Sequence, residues 1–192
     1  FFGHSMGSFV ARAYCTKYAD EINGAVYCGT AGPNPAAGAG KMVANLIIKL
    51  KGDHHKSKLI DKMAFGTYNS KFEKRTAFDW LSRDNFQVDK YIADEYCGFL
   101  FTAAGYRDLF SLLAYVSSKE WFEGLSKELP VLIISGAMDP VCNYSKGIEQ
   151  VCDMLKAAGK TNVKKILYPD ARHEILNESA CFDTVCKDVL SF

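Results

Sequence analysis

The sequence predicts an α/β fold, a parallel sheet with flanking helices, and two observations carry that reading. Strand-like and helix-like segments alternate at both ends of the chain, the pattern of a sheet wound with right-handed crossovers. Near the start, Gly3-His4-Ser5-Met6-Gly7 has the G-x-S-x-G spacing of a tight, strained turn between a strand and a helix.

In chain order, Phe9, Val10, Ala13 and Tyr14 share one helical face, which predicts a helix from Ser8 to Tyr18. Ala25 to Thr30 reads as a short buried strand bounded by glycines. Pro33 to about Leu125 is too long for one crossover and shows mainly helical spacing. It is therefore predicted to be an inserted cap over 33–125, dividing a core made of 1–32 and 126–192. Residues 63–122 hold 15 of the 25 aromatic residues, enough to build a small core of their own or to line an apolar pocket. The stretch "GPNPAAGAGKM" is not a phosphate loop, because Pro35 stands where glycine is needed and Met42 where Ser or Thr is needed. Pro130 to Ala137 is the clearest strand, an apolar run without alternation, as expected when both faces are covered. A helix carrying Ile148, Val151, Cys152 and Leu155 follows and ends at Gly159. Asn162 to Pro169 is the next strand, and Phe182, Val185 and Val189 mark a last helix with Asn177 as its expected N-cap.

With 48% hydrophobic and 23% charged residues in 192, the composition is that of one globular domain with material for a real core. A net charge of +1 supplies no overall field, so nucleic acid is not an expected partner. Seven cysteines, an odd number without a C-x-x-C pair, read as reduced thiols and point to the cytoplasm. No apolar run approaches the roughly 20 residues of a bilayer span. No His, Cys and Asp cluster has ligand spacing, so neither metal nor cofactor is expected.

A serine hydroxyl is a weak nucleophile until a base takes its proton, and a tight elbow projects its oxygen clear of the sheet edge. Ser5 is the candidate nucleophile. Of the four histidines, His4 is disfavoured as the base because neighbours leaving a strand point their side chains apart. His54 and His55 lie in "KGDHHKSK", a solvated loop by composition. His173 remains, on a loop at the carboxyl edge of the sheet, where ligands meet a parallel sheet. Asp139 follows the strand "VLIISGA" immediately and is the expected acid; Asp170, in a Pro-Asp setting, reads as a turn. The order Ser5, Asp139, His173 is that of strand-to-helix elbow enzymes rather than of other serine hydrolases.

On "GHSMGSFVAR", "GT" at 29–30, "SGAMDPV", "DARHEILNE" and "WLSRDNFQVDKYIADEYCGF", the chain resembles the α/β-hydrolases of the serine aminopeptidase S33 group, close to monoacylglycerol lipases and lysophospholipases. The resemblance spans nearly the whole chain. It implies a partial α/β-hydrolase fold, with Ser5 as nucleophile, Asp139 as acid, His173 as base and the Met6 backbone N–H as an oxyanion donor. Family members carry about four further strands before the elbow, with the second oxyanion N–H on a loop among them. The sequence is accordingly expected to be the C-terminal half to two-thirds of a hydrolase, pairing its exposed sheet edge with an N-terminal part or another copy.

The expected reaction is cleavage of a small-molecule acyl ester, of monoacylglycerol or lysophospholipid type, through an acyl-enzyme. One alternative is an aminopeptidase-like amide hydrolase, with Glu73, Asp79, Asp84, Asp89, Asp94 or Glu95 anchoring a free amino group. The other is a catalytically impaired remnant that serves binding or assembly. Residues 31–75 hold nine Lys or Arg against three acids beside the amphipathic "KMVANLIIKL", which raises docking on a membrane surface against a plain solvated basic face.

Overall fold

The computed structural model describes residues 1–192. Its strands lie side by side in chain order: β1 (Phe2–His4), β2 (Ala25–Cys28), β3 (Val131–Gly136) and β4 (Val163–Tyr168). All three neighbouring pairs are parallel, so Phe2, Val26, Leu132 and Lys164 form one row across the sheet. The helices are α1 (Met6–Lys17), α2 (Ala36–Lys51), α3 (Lys58–Phe65), α4 (Asn85–Ala93), α5 (Ala103–Val116), α6 (Lys119–Gly124), α7 (Lys146–Ala157) and α8 (Phe182–Leu190).

The pleat sends alternate residues of the two central strands to opposite faces. Ala25, Tyr27, Val131 and Ile133 join α1, α6 and α7 in the larger core through Phe9, Cys15, Trp121, Ile148, Val151 and Leu155. Val26, Cys28, Leu132 and Ile134 pack on the other side against Ile175 and Val185 of α8. Both central strands are buried along their whole length, which is why they read as unbroken apolar runs. The outer strand β4 instead exposes Lys164 and Lys165, charges that discourage edge-to-edge pairing.

Two local expectations need correction. The buried side of α1 is Ser8, Phe9, Ala11, Arg12 and Cys15, whereas Val10 is half exposed. The face was misplaced because Arg12 counts as polar in a hydropathy pattern yet is fully buried. Its Nη1 donates to Thr30 Oγ1 and the Ala31 carbonyl, its Nη2 donates to the Val116 carbonyl, and its guanidinium lies 4.2 Å from the Trp121 ring centre. Burial lowers its pKa to about 10, so it remains charged at neutral pH and fastens the turn after β2 to α5. Asn177 does not cap α8, which begins after Cys181. Its amide donates to Glu174 Oε2 at 2.9 Å instead, inside a turn of 3-10 helix.

The segment 33–125 holds five helices, α2 to α6, with non-helical stretches at 66–84 and 94–102, and α2, α3 and α5 close a third cluster around Ala44, Ile60, Tyr106 and Phe110. The far end of α5 and all of α6 belong to the larger core through Leu113, Val116, Trp121 and Phe122. Helix α5 thus serves both clusters, as does α2 through Ala37 and Ala44.

The strand ends are held by close backbone contact. A Cβ on Gly136 would sit 2.1 Å from the Arg172 carbonyl oxygen and 2.2 Å from that of Ala171. Gly7, by contrast, has nothing within 4 Å of where its Cβ would be. Gly136→Ala is therefore expected to cost about 2–3 kcal/mol in chemical denaturation. Gly7→Ala should leave stability unchanged or raise it by up to about 1 kcal/mol. Equal effects would show that the Gly136 contact is not tight.

Candidate active site

Ser5 sits between β1 and α1 with φ 53° and ψ −124°, a left-handed conformation that an L side chain adopts only under constraint. Three contacts supply it. Ser5 N–H donates to the Cys28 carbonyl at 2.9 Å, extending the β1–β2 pairing, and Ser8 returns its N–H and its Oγ to the Ser5 carbonyl at 2.9 and 2.5 Å. Gly3 permits the sharp entry, since a Cβ there would lie 2.4 Å from the Gly7 carbonyl oxygen. Met6 opens α1, where backbone N–H groups have no partner in the preceding turn.

Asp139 and His173 come from the loops after β3 and β4. Those loops continue the sheet pairing past the strands: Ala137 N–H donates to the Tyr168 carbonyl and Met138 N–H to the Ala171 carbonyl, each at 2.9 Å. The continuation places His173 Nδ1 2.9 Å from Asp139 Oδ2, with both side chains closed off from water. Because Nδ1 donates to the carboxylate, the tautomer leaves Nε2 free to accept a proton. Asp139 is further satisfied by Ser135 Oγ at 3.1 Å and the Val141 N–H at 2.8 Å, which offsets the cost of burying a carboxylate.

The His173 ring is enclosed on three sides. Gly29, at φ +57°, approaches so closely that a Cβ there would stand 3.0 Å from His173 Cε1. Trp80 packs at 5.1 Å between ring centres and His4 at 4.7 Å. Contrary to the expectation that neighbours diverge, His4 thus reaches the same site as Ser5, and its Nε2 donates to the His173 carbonyl at 3.2 Å. Burial and the nearby His173 lower the His4 pKa to about 4, against the pull of that hydrogen bond and of Asp139. His4 is neutral at working pH and unsuited to serve as a base. His54 and His55 fall in the loop between α2 and α3, and Asp170 is exposed in a left-handed turn at φ 58°.

Residues 73–83 clamp the His173 loop. Glu174 N–H donates to the Leu81 carbonyl at 2.8 Å, and Arg172 donates to the Asp79 carbonyl and to Glu73 Oε1, each at 2.6 Å. The buried Glu178 accepts from Arg172 N–H, Arg83 N–H and Arg83 Nε. Sequence reasoning missed Trp80, Arg83, Arg172 and Glu178, since their partners lie up to 99 residues away.

His4, Ser5, Met6 and His173 all line one cavity of about 920 Å³. Aromatics between residues 65 and 101 form much of its wall, among them Phe65, Tyr68, Phe78, Trp80, Tyr91, Tyr96, Phe99 and Phe101. The aromatic segment therefore lines a pocket, while Tyr106 and Phe110 build the small third cluster. No group of three or more His, Cys, Asp or Glu is arranged to hold a metal ion.

Residues 1–180 match the family model described as serine aminopeptidase, S33. Among solved structures, a highly thermostable carboxyl esterase from Bacillus coagulans superposes with a TM-score of 0.92 at 29% identity, covering 100% of this chain and 62% of that one. A lipase in open form gives 0.86 at 20% identity, covering 99% of this chain and 62% of its own. A soluble variant of monoglyceride lipase from Saccharomyces cerevisiae gives 0.72 at 21% identity, covering 99% and 59%. The last two show a shared fold. The chain spans less than two thirds of each of these structures. Comparison with curated protein sequences gives no match.

The depressed His4 pKa makes stability depend on pH. The unfolded histidine, at about 6.5, binds a proton more readily than the folded one at about 4. Its contribution is therefore fully present above pH 6.5 and is lost as pH falls toward 4. His4→Gln keeps an N–H donor but cannot titrate. Across that window the melting temperature of the wild type should fall more steeply than that of His4→Gln; parallel curves would contradict the assignment.

Proposed function

Because the chain belongs to the serine aminopeptidase S33 family, with the α/β-hydrolase fold, we propose that it cleaves carboxylic esters of monoacylglycerol or lysophospholipid type through an acyl-enzyme. One observation carries the reading: the buried Asp139–His173 hydrogen bond opens on a cavity that also holds Ser5 on its strained turn.

In this mechanism His173 Nε2 removes the Ser5 Oγ proton as the oxygen attacks the ester carbonyl. Asp139 fixes the Nδ1–H tautomer and stabilises the imidazolium that forms. The Met6 N–H donates to the developing oxyanion. His173 then returns the proton to the departing alcohol, leaving an ester on Ser5. Water, deprotonated by the same imidazole, releases the fatty acid and restores the serine. The aromatic walls take the acyl chain, which favours an apolar acyl group over a charged one.

The contacts of the acidic cap residues weigh against the amide alternative. Glu73 pairs with Arg172, Asp89 pairs with Arg75, and Asp79, Asp84 and Asp94 accept local backbone N–H groups. None of these, nor Glu95, lines the cavity. The two carboxylates that do line it are already engaged, Asp61 by the Tyr106 hydroxyl and Glu174 by the Asn177 amide. An amino-group anchor at either would have to share its carboxylate with these bonds.

Turnover of p-nitrophenyl acyl esters against aminoacyl anilides tests the reading, and esters should be the better substrates. Ser5→Ala should abolish ester turnover with little change in melting temperature. Asp139→Asn should reduce it by about 10⁴-fold by favouring the wrong tautomer. The exposed Asp170→Asn should stay within about a factor of two. Retained turnover in Ser5→Ala, or a larger loss at Asp170 than at Asp139, would overturn the assignment.

A further inference from the structure

Helix α2 is apolar on two opposite faces. Its inner face is small, with Ala37, Gly40 and Ala44 buried, and a Cβ on Gly40 would meet the Phe110 ring of α5 at 2.8 Å. Its outer face carries Met42, Leu46 and Leu50 at i, i+4 and i+8, exposed by 68%, 56% and 70%. Helix α3, packed beside α2, exposes Leu59 and Met63 one turn apart. A soluble helix normally turns polar residues outward, so a grouped apolar stripe of this kind marks a contact surface.

The charge around the stripe says what it contacts. Six lysines (41, 49, 51, 56, 58 and 62) accompany two acids, Asp53 and Asp61, and the Asp61 carboxylate is engaged by the Tyr106 hydroxyl at 2.6 Å. A second copy docking here about a two-fold axis would set this lysine cluster against its own image, which opposes self-association. Exposed apolar side chains accompanied by long cationic ones in the same helices suit a layer that is apolar inside and anionic at its surface.

We propose that the outer face of α2 and α3 docks on a lipid–water interface bearing anionic headgroups. Met42, Leu46 and Leu50 enter the headgroup boundary, and the lysines reach the charged groups through their flexible stems. No helix is long and apolar enough to cross a membrane, so the contact is peripheral. Helix α3 lines the cavity through Asp61, Ala64 and Phe65, so the docked face and the cavity share a wall. The docking itself is independent of the reaction proposed above and is measured without it.

The test is co-sedimentation of the 192-residue chain with vesicles of phosphatidylcholine alone or of phosphatidylcholine mixed equally with phosphatidylglycerol. Binding should be roughly tenfold or more stronger on the mixed vesicles and should weaken with added salt. Leu46→Glu with Leu50→Glu should lower it by roughly tenfold or more. Lys41→Glu with Lys49→Glu should do likewise, and it carries the test should the leucine pair disturb folding. Val10→Glu, on the exposed side of α1, should leave binding unchanged. Equal binding to both vesicles, binding that survives both double substitutions, or an equal loss in Val10→Glu would overturn the proposal. So would light scattering that shows a dimer abolished by the leucine pair.

Discussion

The hydrogen bond between Asp139 and His173, sealed from water at both ends, sets the terms for everything around it. An ionised carboxylate in such a place needs donors, and Ser135 and the Val141 N–H provide them from within its own strand and loop. The imidazole needs a fixed ring plane, and the close approach of Gly29, Trp80 and His4 leaves it little freedom. The carbonyls of Ala171 and Arg172 lie directly against Gly136, which ties the acid-bearing and base-bearing loops together at the backbone. Sheet register is thereby converted into side-chain geometry.

Residues 73–83 add a second level of support. Backbone bonds and the Arg172 and Glu178 contacts attach residues 73–83 to the His173 loop, so the segment that lines the cavity also steadies the imidazole. Arg12 plays a comparable part below, where one buried guanidinium joins α1, the turn after β2 and the end of α5. Pocket shape and site geometry are therefore coupled: loosening these contacts would disturb the histidine even where no residue of the cavity changed.

How far this was legible in the sequence follows from the range of each interaction. The strands β2 and β3 announce themselves because burial on both faces demands continuous apolar runs, β4 shows only the shorter run Ile166 to Tyr168 beyond its exposed lysines, and the loops after β3 and β4 point to Asp139 and His173. Helix α1 was placed correctly but turned, because Arg12 hides its charge in backbone carbonyls that no local pattern reveals. The cap aromatics left open whether they form a core or a wall; Trp80 and Tyr91 face the cavity while Phe110 packs with Tyr106. Glu178 and Arg83 gave no signal, since an ion pair across 95 residues is created only by the fold.

The central claim is that His173, held by Asp139, activates Ser5. Labelling with a fluorophosphonate, read by mass spectrometry of the intact chain and its peptides, tests this most directly because it needs no knowledge of the substrate. The account predicts a single adduct on Ser5 in the wild type and none in a folded His173→Ala chain. Labelling that persists without His173, or that falls on another serine, would contradict it.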